Sequence, residues 1–191
     1  MNYRTYKGKS LVLDLEDYTV LDIETTGLDS FTSKIIEISA IKVRGKKEVD
    51  TFSVLINPHR PLSYFIKNLT GITDEMLEDG LEIEDALIMF KEFLAGDIIV
   101  GHNVNFYVNF LYDNYEKYLN IYLTNDFVDT LKIARRVLNL SHNRLDDLTD
   151  YFGITARDKH RALNDCSLTN KVYINLCKEL GLPINSLQTL L

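Results

Sequence analysis

Three successive segments rich in β-branched residues, 18–23, 35–44 and 48–56, are separated by turn-prone stretches and constrain the fold of this chain more than any other feature. They read as an antiparallel meander. The middle segment alternates Ile36, Ile38 and Ala40 with Glu37, Ser39 and Ile41, which predicts one buried and one partly buried face. After Pro58 and Pro61 the periodicity turns helical: a short helix over 62–69, a turn opening at Thr73, and a helix over 84–94 ended by Gly96. Ile98, Ile99 and Val100 then form a brief apolar run that suits the interior of a sheet. A helix over 104–118, a short strand at Phe127 and Val128, a helix capped by Asp129 or Thr130, and helices over 145–152 and 162–180 complete the chain. Strands first, then helices alternating with short strands, imply the α/β class, a mixed sheet flanked by helices. No repeat, low-complexity tract or linker interrupts the pattern, so 1–191 reads as a single domain with residues 1–16 and 184–191 peripheral.

Composition narrows the function. A chain of 191 residues that is 46% hydrophobic can bury one substantial core. Its formal net charge of −7 argues against gripping nucleic acid over a broad basic face, because sequence-independent phosphate binding needs clustered Lys and Arg. Nucleic acid could still be processed at a small site where bound cations reverse the local field. No apolar run reaches the roughly 18 residues of a membrane span, and the N-terminal residues lack the pattern of an export signal. Cys166 and Cys177 fall on one helix about 16 Å apart, too far for a disulfide, which favours a reducing, cytoplasmic setting with both thiols in the core.

Chemistry collects in three places. Asp22-Ile23-Glu24-Thr25-Thr26-Gly27 ends the first strand, and residues i and i+2 of a strand share a face, so two carboxylates stand side by side. A divalent cation resolves their repulsion, and hard oxygen ligands suit Mg²⁺ or Mn²⁺; alone, the pair also reads as two solvated acids. Gly101-His102-Asn103-Val104-Asn105-Phe106-Tyr107 marks a passage from strand to helix, where free backbone donors are exposed, although His102 and Asn103 read more readily as local caps and hydrogen-bonding residues than as catalysts. In Lys159-His160-Arg161-Ala162-Leu163-Asn164-Asp165 the histidine precedes a helix whose first turn carries Asp165. A histidine titrates near neutrality and a neighbouring carboxylate binds metal; without further context this is a solvated helix start.

Taken together and in this order, the three segments resemble the DEDDh (DnaQ-like) 3′-to-5′ exonucleases. This is the family of the bacterial DNA polymerase III proofreading subunit and of the exonuclease domain built into Gram-positive replicative polymerases. The resemblance covers about residues 18–180, with further matches at Ile56-Asn57-Pro58, Leu69-Thr70-Gly71-Ile72-Thr73, Phe127-Val128-Asp129-Thr130 and Leu145-Asp146-Asp147-Leu148. It implies a five-stranded ribonuclease-H-like sheet with Asp22, Glu24 and Asp165 as metal ligands at its centre and His160 as general base. It also implies Mg²⁺ or Mn²⁺ as cofactor, a nucleic-acid 3′ end as substrate, a DNA polymerase as a candidate partner, and no membrane. Thr25, Thr26, Gly27, Leu69, Thr70 and Phe106 are then expected at the terminal nucleotide.

One position departs from the family. Its second segment ends in Phe-Asp, whereas this chain has Phe106-Tyr107. In the family two cations flank the scissile phosphate, and the missing Asp serves mainly the second. A phenol with an ordinary pKa of about 10 is a poor ligand at neutral pH, and neither Asn105 nor Asn109 is placed to replace the carboxylate. Two readings follow. The chain is a metal-dependent exonuclease weakened at its second metal, or a catalytically degenerate module that holds a nucleic-acid end or a polymerase without cutting.

Overall fold

A computed structural model describes residues 4–155, 162–181 and 188–189. The meander forms as expected: β2 (Tyr18–Thr25), β3 (Ile35–Arg44) and β4 (Lys47–Leu55) pair antiparallel in sequence order. β5 (Ile99–Gly101) then pairs parallel to β2, and β6 (Phe127–Asp129) parallel to β5. These five strands make the expected mixed sheet. Two more extend it: β1 (Ser10–Val12) pairs parallel to β6, and β7 (Gln188–Thr189) antiparallel to β1, giving the order β4-β3-β2-β5-β6-β1-β7.

The expectation that residues 1–16 and 184–191 are peripheral is therefore corrected. Without β1, strand β6 would present an open edge of unpaired backbone groups. Leu11, Val12, Leu13 and Leu15 are instead buried, and the Tyr173 hydroxyl donates to Leu13 O at 2.7 Å while accepting from Leu15 N at 3.0 Å. β7 brings 188–189 into the same sheet.

Helices cover both faces. Leu21, Ile23, Ile38 and Ala40 pack against α3 (Ile83–Leu94) and α4 (Val104–Asn114). Tyr18, Val20, Ile41 and Val43 pack against α5 (Thr130–Val137), α6 (Leu145–Tyr151) and α7 (Ala162–Leu180). A smaller core under Ile36 seats α1 (Tyr64–Thr70) and α2 (Asp74–Glu78). Because α7 lies across β2 and β3, the second face of β3 is not partly exposed as its alternation predicts: residues 35–41 are buried throughout. Among the described residues no helix is long and apolar enough to cross a membrane.

The helix expected over 104–118 changes hand-hold partway. α4 stops at Asn114, whose side-chain amide donates to Phe110 O at 2.7 Å, and Tyr115–Leu119 continue as a π-helical turn ended by Asn120 in the left-handed region (φ 52°). A side chain bonding back onto its own helix offers the backbone an alternative to the regular ladder. Cys166 and Cys177 are both buried, free thiols on α7.

Candidate metal and nucleotide site

The parallel register of β2 with β5 runs only through Thr19 and Val20, so the last residues of β2 lie beyond that neighbour. On its other side β2 is paired antiparallel with β3. Ligand sites in open α/β sheets form outside the carboxyl ends of the parallel strands. Gly101 ends β5 under the start of α4. A Cβ there would lie 2.9 Å from Leu21 O and 2.7 Å from Val104 Cγ2, so glycine permits the close approach of backbones that carries α4 to the site.

Asp22 and Glu24 point from β2 to the face covered by α7, and Asp165 comes down from the first turn of α7. Each offers an oxygen within 4.8 Å of the others. Burial, and then the charge of Glu24, push the Asp22 carboxyl well above the usual carboxylate range, opposed by a hydrogen bond from Tyr107. Burial, followed by the charges of Glu37 and Asp165, pushes Glu24 up to about 7. Crowded carboxyls that resist ionisation are the expected state of a cation site read without its cation. An all-oxygen set of three carboxylates fits a hard divalent ion such as Mg²⁺ or Mn²⁺.

Tyr107 stands where the family pattern has its fourth acid, and the structure shows what it does there. From the first turns of α4 its hydroxyl donates to the Asp22 carboxylate; burial and the Asp22 charge drive its own pKa far up, so it is a neutral donor and not an anionic ligand. Asn105 and Asn109 are engaged elsewhere. Both side-chain oxygens accept from Lys7 Nζ, at 2.8 and 2.9 Å.

A cleft of about 450 Å³ opens over the three carboxylates, and Thr25, Gly27, Leu69 and Phe106 line it. Thr26 and Thr70 do not. The Thr26 amide donates to Lys34 O and its hydroxyl accepts from Lys34 N at 2.9 Å and from Arg60, so it closes its own loop. Thr70 is 1% exposed; its hydroxyl donates to Ile66 O and accepts from Ile72 N, which makes it the lock at the end of α1. The Thr25 hydroxyl is also internal, donating to Gly27 O at 2.7 Å. His160 lies outside the described residues.

Several lining residues escaped the sequence reading. Leu28 and Phe65 are 88% and 69% exposed on the rim, and Leu145 completes the wall. Phe65 sits four residues before Leu69 on α1, a helical spacing of large apolar groups on an otherwise solvated face that could have signalled it. His102 and Asn103 also line the cleft. Burial lowers the pKa of His102 to about 4, and its Nδ1 meets Thr130 Oγ1 at 3.0 Å, so it is a neutral, oriented ring. Asp129 holds both helix starts, accepting from Asn103 N and Leu131 N at 3.0 Å each.

Clustered acids at the carboxyl ends of the parallel strands in a ribonuclease-H-like sheet are an arrangement suited to a nuclease, and the exonuclease (RNase_T) family model matches residues 19–173. The chain belongs to that family. It is 38% identical over 176 residues to the PolC-type DNA polymerase III of Bacillus subtilis, and 39% identical over 165 residues to that of Caldanaerobacter subterraneus subsp. tengcongensis. These alignments cover 91% and 86% of this chain but 12% of each polymerase, so the chain corresponds to a small part of those relatives. Among solved structures, exonuclease X in complex with 5′ overhanging duplex DNA superposes with a TM-score of 0.70 at 26% identity, covering 87% of this chain and 94% of that one. Exonuclease I of E. coli with a dT13 oligonucleotide shares the fold at a TM-score of 0.74 and 19% identity, over 87% of this chain and 42% of that one.

Proposed function

We propose that this chain is a divalent-cation-dependent 3′-to-5′ exonuclease that releases nucleoside 5′-monophosphates from nucleic-acid ends, and that Tyr107 weakens it. The observation that carries this reading is the convergence of Asp22, Glu24 and Asp165 within 4.8 Å at the floor of an apolar-walled cleft, in a chain of the exonuclease family. A divalent cation held there would supply Lewis-acid polarisation to the scissile phosphate and the attacking water. The chain's own residues do the rest. Asp22, Glu24 and Asp165 would hold the cation, Leu69 and Phe106 offer apolar surface to the terminal base, and the Thr25-to-Gly27 loop borders the sugar and phosphate. His160 takes the proton of the attacking water, a role that rests on the family resemblance. Mg²⁺ or Mn²⁺ fits the oxygen set, the likeness to PolC-type polymerases supports a polymerase as partner, and the setting is cytoplasmic.

A second reading, a module that binds ends without cutting, is favoured by one observation. The Tyr107 hydroxyl already occupies an oxygen of Asp22. End-labelled single-stranded DNA and RNA, incubated with the protein in Mg²⁺ or Mn²⁺ beside an Asp22→Asn control, separate the two. A metal-dependent ladder shortening from the 3′ end, absent in the control, is expected. Retained binding with no shortening in either metal would transfer the assignment to the second reading.

A further inference from the structure

One more carboxylate lies on the face of the sheet that carries the site. Strand register sets Glu37 directly across from Glu24, as it sets Ser39 across from Asp22, so the four side chains share one face beneath α7. Glu37 is 1% exposed. Its Oε1 accepts from Ser39 Oγ at 3.3 Å and from Ser53 Oγ at 3.4 Å, both long contacts. Among the described residues nothing donates to Oε2.

A buried carboxylate with a bare oxygen is costly and persists where something repays its desolvation. Two long serine contacts do not require a charge, since a glutamine of the same shape would accept them equally well. A cation beside Glu24 does require it. Two divalent ions are balanced by four carboxylates, and the replacement of the family's fourth acid by Tyr107 leaves three ligands. We propose that Glu37 is the fourth carboxylate of the metal centre, acting from behind Glu24 as an outer layer whose charge strengthens cation binding and whose bare Oε2 receives a donor brought in with the ion. Its oxygens do not join the three that lie within 4.8 Å of one another, so it positions and charges the site without being one of that inner set.

The proposal rests on the reading of Asp22, Glu24 and Asp165 as a cation site, and titration calorimetry with Mn²⁺ alone separates the two claims. Glu37→Gln keeps the shape and the serine contacts. It is expected to weaken Mn²⁺ binding by roughly 10- to 100-fold, the usual scale for losing an outer-layer partner. It should also raise the melting temperature of the metal-free protein, because a buried carboxylate with a bare oxygen is replaced by a neutral amide of the same shape. A structural carboxylate would give the opposite shift in melting. The double variant Glu37→Gln with Tyr107→Asp should recover most of the lost affinity, since it restores the charge count, and it serves as the test if the single variant folds poorly. Unchanged affinity in Glu37→Gln, with affinity lost in Glu24→Gln, overturns this proposal alone. Failure of the parent to bind Mn²⁺ overturns the metal reading and this proposal with it.

Discussion

Restoring a carboxylate at position 107 is the most informative perturbation of the site. In the parent the Tyr107 hydroxyl bonds to Asp22, so the phenol occupies an oxygen of the proposed cation site. Tyr107→Asp removes the ring and adds a charge close to three carboxylates whose oxygens lie within 4.8 Å of one another. At that separation and an effective dielectric of about 20, one pair of unit charges interacts by roughly 3.5 kcal/mol. The sign depends on the cation. Without it the new acid meets repulsion, so the metal-free variant should melt below the parent; with it the same charge is attractive. If only about 1.4 kcal/mol of that attraction reaches the transition state, the rate rises tenfold. We therefore expect about tenfold or more in Mg²⁺, read as nucleotides released per minute from labelled single-stranded DNA. The ratio should be smaller in Mn²⁺, which binds a given site more tightly and rescues part of the parent's activity. Tyr107→Asn supplies the control, since it removes the ring without adding charge and should gain little. A parent already as fast as Tyr107→Asp in both metals would refute the account of this site.

His160→Ala should slow cleavage by about 100-fold or more, the usual scale for a lost general base, with Mn²⁺ affinity nearly unchanged; equal rates would remove His160 from the mechanism. In metal-free protein Glu24 holds a proton between its ordinary 4.5 and about 7, so the stability this confers is complete at acid pH and is lost as pH rises through about 7. That rise corresponds to roughly 3 kcal/mol. A bound cation takes the proton's place, so the gap in melting temperature between Mn²⁺-saturated and metal-free protein should widen from about pH 5.5 to about pH 8. His102, kept neutral down to about 4, loses stability on acidification in both conditions and cancels from the gap. An equal gap at both pH values would contradict the carboxyl cluster as its source. Gly101→Ala should destabilise the protein by about 1–3 kcal/mol in denaturant unfolding, because the new methyl meets Leu21 O, a backbone atom that cannot step aside; an unchanged midpoint would show that α4 can retreat.

The parts of the fold legible in the sequence are those whose pattern is carried by the element itself. β3 spans Ile35–Arg44 and α7 spans Ala162–Leu180, both as periodicity predicts, because each is long enough for its alternation or helical stripe to be counted. β1 is three residues long and shows no countable period. Its place is decided by the open edge of β6, a fact about another part of the chain. The break between α4 and its π-helical end is likewise invisible to hydrophobic spacing, since it turns on one asparagine bonding back to Phe110 O.

The site divides along the same line. Asp22 and Glu24 could be placed together because a strand's period of two is local, and the family resemblance supplied Asp165 from across the chain. What each side chain does once there depends on its neighbours. Thr26 and Thr70 sit in matching motifs, yet their hydroxyls are committed to Lys34 N and Ile66 O, and no motif records which hydroxyls are already engaged. Glu37 shows the converse. Alternation put it on the less buried face of β3, where a glutamate is unremarked, and only the arrival of α7 over that face turns it into a buried charge beside Glu24. A charged residue on the solvent side of a strand costs nothing and signifies little; the same residue under a helix must be compensated. The meaning of Glu37 therefore resides in the packing of α7 on β2 and β3, the same packing that delivers Asp165 to Asp22 and Glu24, so the helix that completes the carboxylate cluster also buries Glu37.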